Sequence, residues 1–315
     1  MILGFDIGGT KCAVITAEIN GSNIEITAKE KIPTDLKIKP EEMINRLILL
    51  ADKICGGNRP ERIGISCGGP LDSNNGLILG PPNLTGWDNV PIVEQIKKHY
   101  NVPVHLQNDA NACAVAEWKF GAGRGLDNIV FLTFGTGMGA GLILGGRLYD
   151  GTNGNAGEVG HIRLKESGPV GYGKSGSFEG FCSGGGIAGL GYTLALEAQE
   201  KGITPLYCKN GINKENITAK SIAEAANMGD ETALKVYRIC AENLGAGLSI
   251  LIDILNPQRI IIGSIFARAK NLLWENASEV IKREALLSSA GCCEVVAAEL
   301  GEHIGDYAAV ATALL

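Results

Sequence analysis

Twice in this chain an apolar run breaks into a glycine-threonine turn and then resumes as a second apolar run. Ile2-Leu3-Gly4-Phe5 leads into Asp6-Ile7-Gly8-Gly9-Thr10-Lys11 and then residues 13–17. Ile129-Val130-Phe131-Leu132 leads into Phe134-Gly135-Thr136-Gly137-Met138-Gly139 and then residues 140–144. The pattern predicts two facing strand–turn–strand hairpins. Glycines in such turns let backbone N–H groups approach a phosphate, and threonine adds a hydroxyl donor. A carboxylate beside the turn would repel phosphate unless a cation lay between them. Asp6 therefore points to Mg²⁺, which is held by one or two carboxylates together with substrate phosphates. Two ordinary hairpin turns are the alternative, weaker for the pair than for either alone.

With 315 residues, the chain is long enough for two domains and needs no disulfide or structural metal to support its core. Its formal net charge of -6 and the absence of a long Lys/Arg cluster argue against a nucleic-acid surface. The longest apolar runs, 250–255 and 260–262, are too short to cross a bilayer. An N-terminus that enters a strand at residue 2 leaves no signal peptide in this reading. Nine cysteines without regular spacing suit a reducing cytosol. Cys12, Cys67, Cys113 and Cys240 read as buried free thiols, and Cys292-Cys293 as an unbonded adjacent pair.

Strands are predicted over 2–7, 12–18 and 24–31, with a turn at Asn20-Gly21. A helix follows over 40–55, with Met43, Leu47, Leu50 and Ile54 on its apolar face, Pro40 at its start and Gly56-Gly57 after its end. Strands at 63–66 and 102–106 and a helix from Asp109 to Phe120 complete the start of a mixed sheet flanked by helices. Beyond it the reading gives a strand from Ile129, a long glycine-rich irregular segment over 145–186, and a helix over 231–255 ended by Pro257. A strand over 258–262 and helices over 270–287 and 306–315 follow. A polar segment as long as 145–186 is functional or disordered in most proteins.

Several polar groups could carry chemistry. Asp109, in Asn108-Asp109-Ala110-Asn111, follows a strand and opens a helix, where the helix dipole favours the ionised form. It could serve as the general base that takes a proton from a sugar hydroxyl attacking phosphorus, or simply as a helix N-cap. Asn83, in Pro82-Asn83-Leu84-Thr85-Gly86-Trp87, offers a donor and an acceptor suited to hydroxyls. Glu158, His161 and Glu179 could together hydrogen-bond adjacent hydroxyls. A metal site is the alternative.

In this order these segments resemble the ROK sugar kinases (repressors, open reading frames and kinases) of the hexokinase–actin-like superfamily, over nearly the whole chain. The resemblance implies an α/β, two-lobed actin-like ATPase (ribonuclease H-like) fold with mixed sheets flanked by helices. The small lobe would be 1–118 completed by 302–315, and the large lobe 119–301. It also implies ATP and Mg²⁺ as cofactors, a sugar substrate, a homodimer, and no nucleic-acid or membrane partner. Phosphate contacts would come from Asp6, Gly8, Gly9, Thr10, Lys11, Thr133, Gly135, Thr136, Gly137 and Gly139, with Asp6 an indirect Mg²⁺ contact and Gly263 near the adenosine. Sugar contacts would come from Gly69, Asn83, Asn108, Asp109, Glu158, His161 and Glu179, with Asp109 catalytic. The small residues of Ser66-Cys67-Gly68-Gly69-Pro70 leave room for an N-acetyl group. Two departures stand out. Val170, Tyr172 and Ser177 occupy the family's zinc-cysteine positions and Cys182 lies off the pattern, so no structural zinc is expected, since four N/S/O ligands are required. Tyr172 and Phe178 are expected to pack that loop instead. Ser264 replaces the second glycine of the adenosine motif.

Three functions are compatible with this resemblance. The first is an ATP-dependent kinase acting on the C6 hydroxyl of glucose, N-acetylmannosamine or a related sugar. The second is a sugar-responsive regulator, which the strand at residue 2 and the acidic balance oppose. The third is an idle sugar-binding protein, which the presence of both Asp6 and Asp109 opposes.

Overall fold

The computed structural model describes residues 1–21 and 23–315. The chain forms two compact units, one of residues 1–127, 141–156 and 299–315, the other of 128–140 and 157–298. Residues 119–127 and 141–156, placed in the second lobe from sequence, thus group with the first unit. That unit opens with strands β1 (Ile2–Ile7), β2 (Lys11–Asn20) and β3 (Asn23–Pro33), helix α1 (Pro40–Cys55) and strand β4 (Arg62–Cys67). The short strands β5 (Leu71–Asp72) and β6 (Leu77–Ile78), helix α2 (Ile92–Tyr100), strand β7 (Val104–Asn108) and helix α3 (Asp109–Phe120) follow. The sheet order is β3-β2-β1-β4-β7, with β1, β2 and β3 antiparallel and β1, β4 and β7 parallel. Helix α1 is punctuated as its sequence requires: Pro40 at its start, Glu41 and Glu42 in its first turn, Lys53 in its last and left-handed Gly56 at its end. Its buried stripe is Met43, Ile44, Leu47, Ile48, Ala51 and Cys55, while Leu50 and Ile54 lie half-buried at the margin.

Strand β8 (Ile129–Leu132) begins the second unit, whereas β9 (Ala140–Leu144), which belongs to the first unit from Gly141 on, pairs antiparallel with β10 (Arg147–Leu148). The segment read from sequence as irregular contains the hairpin of β11 (Val170–Gly171) and β12 (Lys174–Ser175), the single-turn helix α4 (Phe178–Phe181) and the start of α5 (Gly184–Glu200). Helices α6 (Ala219–Asn227) and α7 (Glu231–Leu255), strand β13 (Arg259–Ile262), helix α8 (Ile265–Glu284), helix α9 (Leu287–Ala290) and strand β14 (Glu294–Ala297) follow. Strand β13 lies parallel to both β8 and β14. Helix α8 starts earlier than its apolar pattern suggests, because Ala269 departs from helical geometry and masks the period. Among the described residues no helix is long and apolar enough to cross a membrane.

The chain returns to the first unit and ends in helix α10 (Ile304–Thr312). Side chains alternate along a strand, so β1 presents Leu3, Phe5 and Ile7 to one face and Ile2, Gly4 and Asp6 to the other. The first face packs on α1 and α2 through Met43, Ile44, Leu47, Ile92 and Ile96. The second receives α10, whose Ala309 and Val310 join Ile2, Ala13 and Ile15. Close approach there depends on Gly64, where a Cβ would lie 2.1 Å from the Ala309 carbonyl oxygen. Register carries the alternation across the sheet. Asp6 is opposite Ser66 and Ala13, Ser66 is opposite Gln107, and Ile15 and Ala13 are opposite Lys29 and Lys31. Asp6, Ser66, Gln107, Lys29 and Lys31 therefore all project to the α10 face.

Candidate active site

Because β1, β4 and β7 are parallel, their carboxyl ends share one edge of the sheet, the edge at which open α/β sheets bind ligands. Asp6 is the last residue but one of β1, Gly68-Gly69 follows β4 and Asp109 follows β7. The turn after Asp6 is tied down by Thr34, whose hydroxyl donates to the Gly8 carbonyl at 2.5 Å and whose N–H donates to the Thr10 carbonyl at 3.0 Å. Gly9 lies against the backbone of Asn83, since a Cβ there would come within 2.2 Å of the Asn83 carbonyl oxygen. That close approach joins the first glycine turn to the loop bearing exposed Asn83, which is anchored by buried Trp87. Thr10 and Lys11 are exposed at the tip. Gly69 precedes Pro70 in a cis peptide, and a Cβ at Gly68 would meet nothing within 4 Å.

Asp109 is not the helix cap. Asn108 takes that role, its Oδ1 accepting the Asn111 N–H at 2.8 Å. Asp109 instead lies in the first turn, one carboxylate oxygen accepting the Ala110 N–H at 2.8 Å. Its side chain is open to solvent, yet the protein around it displaces enough water to push the carboxyl above its ordinary range, against the pull of backbone N–H donors. Asp6 is pushed up to about 6, mainly by burial and then by the charge of Asp306, with Lys29 opposing both. Lys29 on β3 is ion-paired with Asp306 in the first turn of α10. Lys29 does not stand out in the sequence, and the one signal for Asp306 is an acid at the head of an alanine-rich terminal helix.

In the second unit, Thr133 closes the other glycine turn. Its N–H donates to the Gly139 carbonyl and its hydroxyl accepts the Gly139 N–H, each at 3.0 Å. Gly135 bonds across the turn to Gly137 at 3.0 Å, and Thr136 is exposed. Two helix N-termini meet this turn. The Gly184 N–H at the start of α5 donates to the Gly135 carbonyl at 2.7 Å, and the Ile265 N–H at the start of α8 donates to the Phe134 carbonyl at 3.1 Å. These two N–H groups are taken by turn carbonyls, so what the helix ends offer an anion is their dipoles and remaining N–H groups. The α5 terminus was missed from sequence, although Ser183 ahead of Ile187, Leu190 and Leu194 has the form of a cap before an apolar stripe. Gly263 packs on Phe131, and Ser264 adopts φ 50°, a conformation natural to the glycine it replaces, with its hydroxyl bonded by Arg268 at 2.8 Å.

Glu179 reaches the same turn, since its Oε2 accepts the Met138 N–H at 3.0 Å. A Cβ at Gly137 would come within 2.8 Å of that oxygen. Glu158 and His161 are exposed on the segment leading to α4. The His161 carbonyl accepts Lys174 Nζ at 2.7 Å, and its ring stands edge-on to Tyr172. Ser177, at a zinc-cysteine position of the family, caps α4 through the Gly180 N–H. Val170 and Tyr172 lie on the β11–β12 hairpin. Among the described residues no three His, Cys, Asp or Glu side chains gather as a metal-holding group. Hydrogen bonds run through the segment. Arg163 donates to the Ser175 carbonyl at 2.7 Å, Ser175 Oγ donates to the Gly168 carbonyl at 3.0 Å, and the Gly176 carbonyl accepts two N–H groups. Phe178 is fully buried against Gly247, as expected, but Tyr172 is 80% exposed and does not pack the loop. Cys182 turns away to Cys240, its sulfur 4.0 Å distant, and Cys113 is half-buried rather than buried.

Two glycine-threonine turns at strand ends, on mixed sheets flanked by helices, define a protein of the actin-like ATPase (ribonuclease H-like) fold. Residues 2–314 match the ROK family, and the chain belongs to it. It is 32% identical over 305 residues to a glucokinase of Thermotoga maritima, covering 96% of this chain and 94% of that one. It is 30% identical over 294 residues to a xylose repressor of Caldicellulosiruptor bescii, covering 91% of this chain and 71% of the repressor. A ROK family glucokinase of Streptomyces griseus, solved with glucose and AMPPNP, superposes with a TM-score of 0.77 at 30% identity over 99% of each chain.

Proposed function

We propose that this chain is an ATP-dependent sugar kinase that transfers the γ-phosphoryl group to the C6 hydroxyl of a hexose or N-acetylhexosamine, with glucose and N-acetylmannosamine the leading candidates. The observation that carries the reading is Asp109, an ionisable group freed from helix capping and open to solvent at the sheet edge that also bears Asp6. Asp109 takes the hydroxyl proton as the sugar oxygen bonds to phosphorus and ADP departs. Asn83, Asn108, Glu158, His161 and Glu179 hold the sugar hydroxyls, with Gly69 beside them. The turns carrying Gly8, Gly9, Thr10 and Lys11, and Thr133, Gly135, Thr136, Gly137 and Gly139, present donors to the phosphates, with Gly263 near the adenosine. Asp6 suits Mg²⁺ that arrives with the nucleotide and keeps its waters, a mode needing only one or two carboxylates. When bound, Mg²⁺ supplies charge neutralisation of the phosphates. The glucokinase relatives support the same reaction class.

ADP release with Mg-ATP and a panel of free hexoses and N-acetylhexosamines tests the reading, with strong preference for one sugar expected. Absence of turnover on every sugar, with sugar still bound, would instead favour the regulator reading that the repressor relative motivates. The same assay has an expected pH dependence. Asp6 sits at about 6 and burial raises Asp109, and both act as anions. The acid limb of kcat/KM should therefore fall near pH 6 rather than near 4. Activity level down to pH 5 would count against Asp6 and Asp109 acting as anions.

A further inference from the structure

Resting on the reading of Asp109 as the base, the junction that carries it has a second feature: a ladder of amide side chains from the end of β7 into α3. Gln107 and Asn111 are 4% and 0% exposed. Gln107 Oε1 accepts the Asn108 backbone N–H at 2.8 Å and Asn111 Nδ2 at 3.1 Å, while Asn108 Oδ1 accepts the Asn111 N–H at 2.8 Å. The backbone decides how both carboxamides face. The Asn108 N–H can only donate, so the Gln107 atom opposite it is the oxygen. That oxygen requires a donor from Asn111, so the Asn111 amide nitrogen faces it and Asn111 Oδ1 points away. Among the described residues no donor meets that buried oxygen.

An acceptor left unmatched in the interior disfavours folding, and an apolar side chain of similar branching would avoid the loss. The pair is therefore poorly explained as a stabiliser. It is well placed as a constraint, because Asp109 lies between two backbone positions that the ladder grips, Asn108 and Asn111. We infer that Gln107 and Asn111 are positioning residues for Asp109, locking the strand-to-helix junction so that its carboxylate faces the sugar hydroxyl in one orientation.

The test is Asn111→Leu and Gln107→Leu, singly and together. Leucine keeps the branching of asparagine without its polar atoms. For Asn111→Leu the melting temperature is expected to hold within about 2 °C or rise, because the unmatched oxygen is gone. Meanwhile kcat should fall about tenfold or more with the KM for ATP unchanged, since a misplacement of about 1 Å can cost ~10²-fold. Hydrogen exchange at the Asn108 amide should quicken. The double variant should be no slower than the worse single one, because Gln107→Leu already breaks both bonds to Gln107 Oε1, including the one that Asn111→Leu breaks. A lowered melting temperature with kcat and exchange unchanged would overturn the inference, as would kcat losses that multiply. Should the leucine variants not fold, Asn111→Ala removes the same bond without added bulk and is read in the same way. Absence of turnover by the wild type would defeat the kinase reading alone. The ladder would still be judged by exchange at Asn108, which needs no turnover.

Discussion

Replacing Asp109 with asparagine is expected to leave the fold intact and to lower phosphoryl transfer by ~10²–10⁴-fold, the contribution of a positioned general base. The fold should survive because Asp109 supports no distant contact. Its one bonded oxygen accepts the N–H of the adjacent Ala110, which the asparagine oxygen can also accept, and the cap is held by Asn108. The loss should fall on kcat with KM for the sugar changed little, since the carboxamide fills the same space and still bonds hydroxyls. An unchanged melting temperature with kcat within about threefold of wild type would remove Asp109 as the base. A large loss of stability would mean that its role is structural after all.

The second large effect is on stability, at Glu117. This α3 side chain is fully buried and, among the described residues, has no cation partner, yet its oxygens accept the N–H groups of Ala122 at 2.8 Å, Leu300 at 2.9 Å and Glu299 at 3.3 Å. It thereby ties α3 to the residues before Asp127, where the first unit's opening segment ends, and to those after Ala298, where the chain rejoins it. The fit is close, since a Cβ on Gly121 would come within 2.1 Å of Glu117 Oε2. These donors are part-buried, and a donor left unmatched out of reach of water costs ~1–3 kcal/mol, so Glu117→Ala should destabilise the first unit by roughly 1–3 kcal/mol in all. Thermal unfolding with a loss under about 1 kcal/mol would show that water replaces the carboxylate at little cost. The pH dependence has a definite sign. Burial raises the Glu117 carboxyl above its unfolded value, outweighing the three N–H donors. The folded state therefore binds the extra proton between the two values, and this group favours folding as the pH falls into that window. Wild type should gain on Glu117→Gln as the pH is lowered from 7 toward the ordinary glutamate range. A gain on raising the pH would contradict the assignment.

Much of the molecule can be read from residue order alone. Helices α1 and α7 and strand β8 have the bounds that their apolar periods and end signals imply, because Pro40, Gly56 and Pro257 act on the backbone where they stand. The glycine-threonine turns and the Asn108–Asn111 segment were equally legible, since their chemistry is written in consecutive residues. Strand β14, the α5 terminus and the exposure of Val170 and Tyr172 were not, because an aromatic or aliphatic side chain says nothing about which side of a hairpin faces water. The charge environment of Asp6 was beyond reach for the same reason. Lys29 and Asp306 are far apart in the chain and come together only when α10 packs on the face of the sheet to which β3 turns Lys29. Local order thus determined the strands, the turns and the candidate base, because those depend on neighbours in sequence. The tertiary structure decided which charges pair beside Asp6 and how far Asp6 and Asp109 are desolvated, because burial and electrostatic coupling depend on distance in space.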